Sequence, residues 1–359
     1  MAINETSWHF YLNPEQAWDA MLLACKEARV AIDLEQFILR TDEIGNKIID
    51  ICRQKAKEGV RVRVLCDAAG SFGLYNSSIP EMMRNDGVRF AFFNTLVPGG
   101  KHNYTPWLFR DHQKLLVVDG AIAFTGGICL SEEMRNWRDT HVRIEGDVVA
   151  QMLHAFNQMW RRAFKNKLKK KEIQPPTTSG FTYVTNAPLP RKRFLYHSFI
   201  DAIRGARKFI YLTTPYFVPD RRFVRVLKLA QRRGVDVRLL VPYASDHPVV
   251  DRGAHSYFQQ MLKAGIRIFR YKNIMLHAKT AVIDEEWATV GSLNLDNISF
   301  LYNFEGNIVS HNKAFNEELK KHFIEDLQKS EEVVLANWKN RSFVEKLFER
   351  LTWPIRKIL

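Results

Sequence analysis

The chain has 359 residues and a mass of 41.9 kDa, about twice the usual domain length, so one or two domains with ample core are expected. Its content of 46% hydrophobic, 26% charged and 12% aromatic residues excludes a disordered or fibrous protein. The 53 Lys and Arg against 39 Asp and Glu leave a net charge of +14, which suggests nucleic acid or an anionic membrane surface as partner without choosing between them.

In chain order, Met1 to Phe10 lacks the basic-then-apolar order of a signal peptide. Ala28-Arg-Val-Ala-Ile-Asp-Leu predicts a helix running into a strand. Ala56-Lys-Glu-Gly-Val-Arg-Val-Arg-Val-Leu predicts a helix that ends on Gly59 and a strand of alternating Val and Arg, and Gly87-Val-Arg-Phe opens another strand. Next comes His112-Gln-Lys114-Leu-Leu-Val-Val-Asp119, read as a strand with a hairpin turn at Asp119-Gly120 and with Gly126-Gly127 on the return strand. The helix end Trp160 to Lys171 turns very basic, and Gln174-Pro-Pro-Thr-Thr-Ser-Gly has the composition of a connector. The boundary is placed there, giving domains 1–172 and 173–359.

The second half repeats the first. Ala206-Arg-Lys-Phe-Ile-Tyr-Leu, Gln231-Arg-Arg-Gly-Val-Asp-Val-Arg-Leu-Leu and Gly265-Ile-Arg-Ile echo the three opening blocks in the same order. A fourth echo is His277-Ala-Lys279-Thr-Ala-Val-Ile-Asp284, followed by Gly291-Ser292 and Asn294, with a turn at Asp284-Glu285. The halves therefore read as copies of one βαβ-rich unit, which favours mostly parallel sheets covered by helices. At the end, Phe343 to Trp353 sets Val344, Leu347, Phe348 and Leu351 on one helical face with Arg350, Arg356 and Lys357 nearby. Such a helix lies in a headgroup layer or docks on its own domain. The basic run from Arg161 to Lys171 is a lipid-attracting patch or a solvated helix end.

Two further classes of site are not indicated. Cys25, Cys52, Cys66 and Cys129 form no CxxC pair and no His/Cys cluster, so reduced thiols are expected, without a zinc site or a disulfide framework. A membrane span needs roughly 20 mostly apolar residues, whereas the longest uncharged stretch, Ile173 to Pro190, is full of Pro, Thr, Ser and Gly. The chain is not expected to cross a bilayer.

On a strand, His and Lys two residues apart project from the same face. One His-x-Lys on a strand edge is usually a solvated polar face. Two copies of H-x-K-x4-D at identical internal spacing, inside halves that repeat elsewhere, mark a site.

These paired motifs resemble those of the phospholipase D superfamily, over nearly the whole chain and closest to the bacterial cardiolipin synthases. The resemblance extends to Asp42-Glu-Ile-Gly, Trp137-Arg-Asp-Thr-His, Thr214-Pro-Tyr-Phe-Val-Pro-Asp and Asn303-Phe-Glu-Gly. The chain is similar to the short, peripheral form, without the two N-terminal membrane helices that many of these enzymes carry. The resemblance implies an α/β fold of two repeated α-β-α sandwich domains about a pseudo-twofold axis, with the active site at their interface. One histidine would attack the phosphorus of a phosphodiester, and the other would protonate the leaving alkoxide and then deprotonate the incoming hydroxyl. His112 is assigned as nucleophile and His277 as acid/base by that resemblance. Lys114, Lys279 and Asn294 would offset charge on the non-bridging oxygens, with no metal or cofactor required. Asp139 and Glu305, following the motifs at similar distances, are expected to fix the histidine tautomers. Asp119 and Asp284 complete the candidate set, although their hairpin positions suit holding the fold. One departure is Cys129, where related sequences have Asn; a thiol is a poor substitute donor.

The implied activity is a phosphatidyl transfer from phosphatidylglycerol to the hydroxyl of a second lipid, giving cardiolipin. The alternatives are a hydrolase of the same superfamily, phospholipase or nuclease, and a non-catalytic binder of anionic lipid or nucleic acid. Phospholipid substrates and a peripheral place on an anionic membrane, at the cytoplasmic face of a bacterial cell, are expected; nucleic acid is not, and the oligomeric state is open. Trp107-Leu-Phe109 and Phe300-Leu-Tyr302 beside the motifs are read as acyl-chain contacts or as buried core.

Overall fold

The computed structural model describes residues 6–95, 109–164 and 174–341. In the first half, Asn13 accepts from the Gln16 amide to start the helix Pro14–Glu27, whose buried face carries Ala17, Trp18, Met21, Ala24 and Cys25. The strand Ala31–Gln36 follows. Asp42 caps the helix Glu43–Lys57, and Gly59 at φ +90° turns the chain into the strand Arg61–Asp67. The second half runs the same course. The helix Phe194–Gly205 leads to the strand Phe209–Thr213, and the helix Arg221–Arg232 ends before Gly234 at φ +88° and the strand Asp236–Pro242. The first two echoes thus fold as helix-to-strand passages, as read.

The expectation of mostly parallel sheets is corrected. In the seven-stranded sheet only Ala31–Gln36, Arg61–Asp67 and Arg89–Phe93 run parallel to one another. In the eight-stranded sheet only Phe209–Thr213, Asp236–Pro242 and Arg267–Tyr271 do. The remaining neighbours within both sheets are antiparallel, because each motif strand doubles back on itself. Lys114–Val118 pairs with Ile122–Gly126, and Thr280–Ile283 with Trp287–Gly291. Asp119 and Gly120 at φ +53° and +67°, and Asp284 and Glu285 at +54° and +62°, make the tight turns between them.

The strands of the first sheet lie between residues 8 and 145, and those of the second between 181 and 332. We keep the division at 1–172 and 173–359 as a proposal consistent with that placement. One apolar cluster is internal to the first half and one to the second. A third draws on both, with Phe10, Val142 and Phe156 packed in the same core as Phe181, Val290 and Phe315. This shared core fixes the halves against each other, and so the two motifs.

Candidate active site

Each histidine sits just ahead of its motif strand, in a segment that bonds to the other half. The His112 amide donates to the Phe304 carbonyl at 2.9 Å, and the Phe304 amide donates to the Arg110 carbonyl at 2.9 Å. The same exchange recurs on the other side: His277 N donates to Arg138 O at 2.7 Å, and Arg138 N to Met275 O at 2.8 Å. Two short parallel bridges therefore carry each motif to the residues that precede the opposite carboxylate.

The consequence is a crossed pairing. His112 Nδ1 lies 3.0 Å from both carboxylate oxygens of Glu305, and His277 Nδ1 lies 2.7 Å from Asp139 Oδ2. Each imidazole is thus held by a carboxylate from the other half of the chain. Both carboxylates are fully buried and themselves fixed: Ser292 Oγ donates to Glu305 Oε2 at 2.5 Å, and the Thr140 amide to Asp139 Oδ1 at 2.7 Å. Gly127 stands where the second half has Ser292. A Cβ there would lie 2.2 Å from Asp139 Oδ1, so only glycine leaves room for that carboxylate. With Nδ1–H spent on a carboxylate, each ring presents Nε2 to the site.

The lysines follow. Lys114 Nζ donates to the His112 carbonyl at 2.6 Å and Lys279 Nζ to the His277 carbonyl, both side chains buried. Burial, then Lys279, pushes the His277 imidazole down to about 4, against the pull of Asp139. His112 is also held below the ordinary histidine range, by burial in the first place, against the pull of Glu305. Lys279 depresses His112 and Lys114 depresses His277, so the four side chains share one electrostatic field. Burial lowers Lys279 itself to about 8. Aromatic rings flank the imidazoles: Phe37 at 4.8 Å from His112, and Trp137 and Tyr216 at 5.1 and 6.4 Å from His277.

Asn294 is buried with its side chain bonded to the Asp296 carboxyl, and among the described residues its Oδ1 lacks a hydrogen-bond partner. Cys129 is buried too, and its carbonyl takes the indole N–H of Trp18 at 3.0 Å. All four cysteines are free and buried. Asp119 and Asp284 do not join the site, which corrects their inclusion in the catalytic set. Each lies at the far end of its motif strand, and the Asp119 carboxylate accepts from the amides of Arg29, Val30 and Ala31 at 2.8–3.0 Å. Asp284 accepts from Arg207, Lys208 and Phe209 at 2.6–2.9 Å. They tie each hairpin to the start of the neighbouring strand. Phe300 is core, packed on Tyr196 and Phe223, whereas Phe109 is exposed and touches Tyr302. Trp107, Leu108, Lys165 to Lys171 and the segment Phe343 to Trp353 lie outside the described residues.

Several supporting residues carried no sequence signal. Arg138 makes a buried two-bond pair with Asp326, at 3.0 and 2.7 Å, from the first half to the second. Asp67 receives Arg110 and the Asp111 amide under the first motif. Arg138 lies within Trp137-Arg-Asp-Thr-His, but nothing local told it from a surface arginine.

Two repeated halves that bring a His–Lys pair and an opposing carboxylate from each side into one buried cluster define an enzyme of the phospholipase D superfamily. Residues 21–160 and 199–327 match the family described as cardiolipin synthase, phospholipase D-like domain. The chain is 32% identical over 366 residues to a cardiolipin synthase of Clostridium perfringens, covering 96% of this chain and 76% of that one. It is 33% identical to that of Alkalihalophilus pseudofirmus, covering 95% and 70%, and 33% identical to that of Listeria welshimeri, covering 97% and 74%. Among solved structures, phosphatidylserine synthase of Haemophilus influenzae superposes with a TM-score of 0.76 at 14% identity, covering 98% of this chain and 95% of that one, which shows the fold. The chain belongs to the cardiolipin synthase family of phospholipase D-like enzymes, and is a phosphatidyltransferase of that type.

Proposed function

We propose that the chain moves a phosphatidyl group from phosphatidylglycerol to the hydroxyl of a second lipid through a phosphohistidine on His112. Nε2 of His112 attacks phosphorus, the P–O bond to glycerol breaks, and His277 gives its Nε2 proton to the departing alkoxide. The acceptor hydroxyl then loses its proton to His277 and attacks phosphorus, which breaks the P–N bond and frees His112. Lys114 and Lys279 offset the charge on the non-bridging oxygens, and Glu305 and Asp139 hold the two tautomers. The observation that carries this reading is the crossed pairing, which commits Nδ1 of both rings and leaves one Nε2 for each task.

The substrate completes the charge balance. A general acid must carry a proton, yet burial and Lys279 hold His277 at about 4 without ligand. A phosphodiester anion between the two lysines reverses that field and raises the imidazole, so binding and protonation come together. Among the described residues no helix is long and apolar enough to cross a membrane. We place the enzyme peripherally on the anionic cytoplasmic face of a bacterial membrane, where both lipids reside.

The test is incubation with phosphatidylglycerol vesicles and, separately, with single-stranded DNA. Cardiolipin with equimolar glycerol supports the transfer. Phosphatidic acid alone makes the chain a hydrolase, and cut DNA without lipid turnover makes it a nuclease; either result overturns the proposal.

A further inference from the structure

Beside the His112 bridge the surface carries large apolar side chains and cations together. The short helix Asn297–Leu301 follows Asn294 and exposes Ile298; at its end Tyr302 touches Phe109, three residues before His112. Against this helix lies the loop from Asn186, whose side-chain amide donates to the Ser299 and Phe300 carbonyls at 3.2 and 3.0 Å. The loop returns to Arg193 through a bridge to Asn186, and it holds up Leu189 and Phe194, 51% and 55% exposed. Tyr196 ties the same loop to the head of the helix Arg221–Arg232. Its hydroxyl donates to Asp220 at 2.7 Å, and the Arg222 guanidinium stands 6.0 Å from its ring.

Five exposed cations, Arg191, Lys192, Arg221, Arg222 and Arg225, belong to these same segments. Among the described residues none of the five forms an ion pair. Asp220, at the head of that helix, is committed to Tyr196 and to the Phe223 amide. Cations thus outnumber the one carboxylate, Asp220, on the segments that carry Leu189, Phe194 and Ile298; Asn186, where the loop begins, pairs with Glu305, the partner of His112, while Arg221 and Arg225 line the adjoining groove with Tyr257 and Gln260.

We propose that this collar is the face by which the enzyme sits on an anionic bilayer, with the apolar side chains entering the acyl boundary and the cations meeting the headgroups. The inference rests on the lipid-transfer reading above and names the surface that reading requires. Leu189 and Ile298 are aliphatic and offer no ring on which bases could stack, so the mixture fits lipid better than single-stranded nucleic acid. Docking here brings the bilayer to the motif entrance, so a lipid headgroup need not leave the interface to reach it.

The test uses the full chain and two double variants, Leu189→Ser with Phe194→Ser and Arg191→Glu with Lys192→Glu. Their melting temperatures check folding, and single substitutions at the same positions replace any pair that does not fold. Sedimentation with vesicles of phosphatidylglycerol in phosphatidylcholine reads the docking. Turnover of monomeric dibutyroylphosphatidylglycerol reads the chemistry without a bilayer. A cation near an anionic surface is worth about fivefold in affinity, so the charge variant is expected to bind at least about 25-fold more weakly. The apolar variant is also expected to lose binding, and both should turn over the dissolved lipid at the wild-type rate. Vesicle binding unchanged in both variants overturns the proposal. So does weakened binding of a single-stranded oligonucleotide with vesicle binding intact. If the wild type binds vesicles through this face yet does not turn over the dissolved lipid, the docking face stands and the transferase reading falls.

Discussion

Glu305 and Asp139 show how much a single pairing decides here. Each lies in the half of the chain opposite the imidazole it holds, and each is fully buried. Asp139→Asn keeps the shape but lets the amide present N–H to Nδ1, favouring the wrong tautomer of His277. A loss of about 10⁴ in kcat is expected with folding intact, as when a buried aspartate that orients a catalytic histidine is replaced by Asn. Steady-state kinetics beside a melting curve check it; a loss below tenfold would contradict the orienting role. His277, low without ligand, gives a second expectation. At pH 7 inorganic phosphate should bind with uptake of a proton, seen in calorimetry as a heat that varies with the ionisation enthalpy of the buffer. A heat independent of buffer would contradict it. His141 supplies the pH expectation for stability. Among the described residues neither of its buried ring nitrogens has a hydrogen-bond partner, and burial pushes it from 6.5 down to about 4. The unfolded chain therefore takes up the proton first, so this group's contribution is present above about pH 6.5 and is lost as pH falls towards 4. His141→Asn, matching Asn307 at the equivalent register opposite Gly291, should flatten the fall of melting temperature over that range.

The motif hairpins and the bridges between halves act at the scale of whole elements. The helices ending on Gly59 and Gly234, and the turns at Asp119 and Asp284, were legible because local chemistry fixes them. The sheet direction was not, since each hairpin adds antiparallel neighbours that a βαβ reading omits. Arg138 and Asp326 fasten the segment before Asp139 to the helix Lys313–Gln328, with side chains 8% and 6% exposed. Asp326→Asn strands a buried guanidinium and should cost about 3–5 kcal/mol in denaturant unfolding. Burial pushes the Asp326 carboxyl up despite Arg138, so the pair is held at a desolvation cost. Arg138→Met with Asp326→Leu should accordingly recover much of the loss. A double variant as unstable as the single one would contradict that ledger.

For the whole molecule, the repeat in the sequence announced one site built twice, and each motif's histidine does meet a carboxylate from the other half. What the sequence could not show is that the halves exchange carboxylates, because the exchange depends on docking through the core that holds Val142 beside Val290. Asp139 and Glu305 were found by spacing alone, and their partners only by the fold. Arg138, Ser292 and Asp67 act by position, a property no residue type carries. Two imidazoles divide the work on one phosphorus atom, and trapping the covalent intermediate is the decisive check. His277→Asn mixed with phosphatidylglycerol and quenched in alkali should yield a phosphorylated peptide containing His112, absent from His112→Asn. A phosphate on the His277 peptide instead, or transfer at the wild-type rate without either histidine, would contradict it.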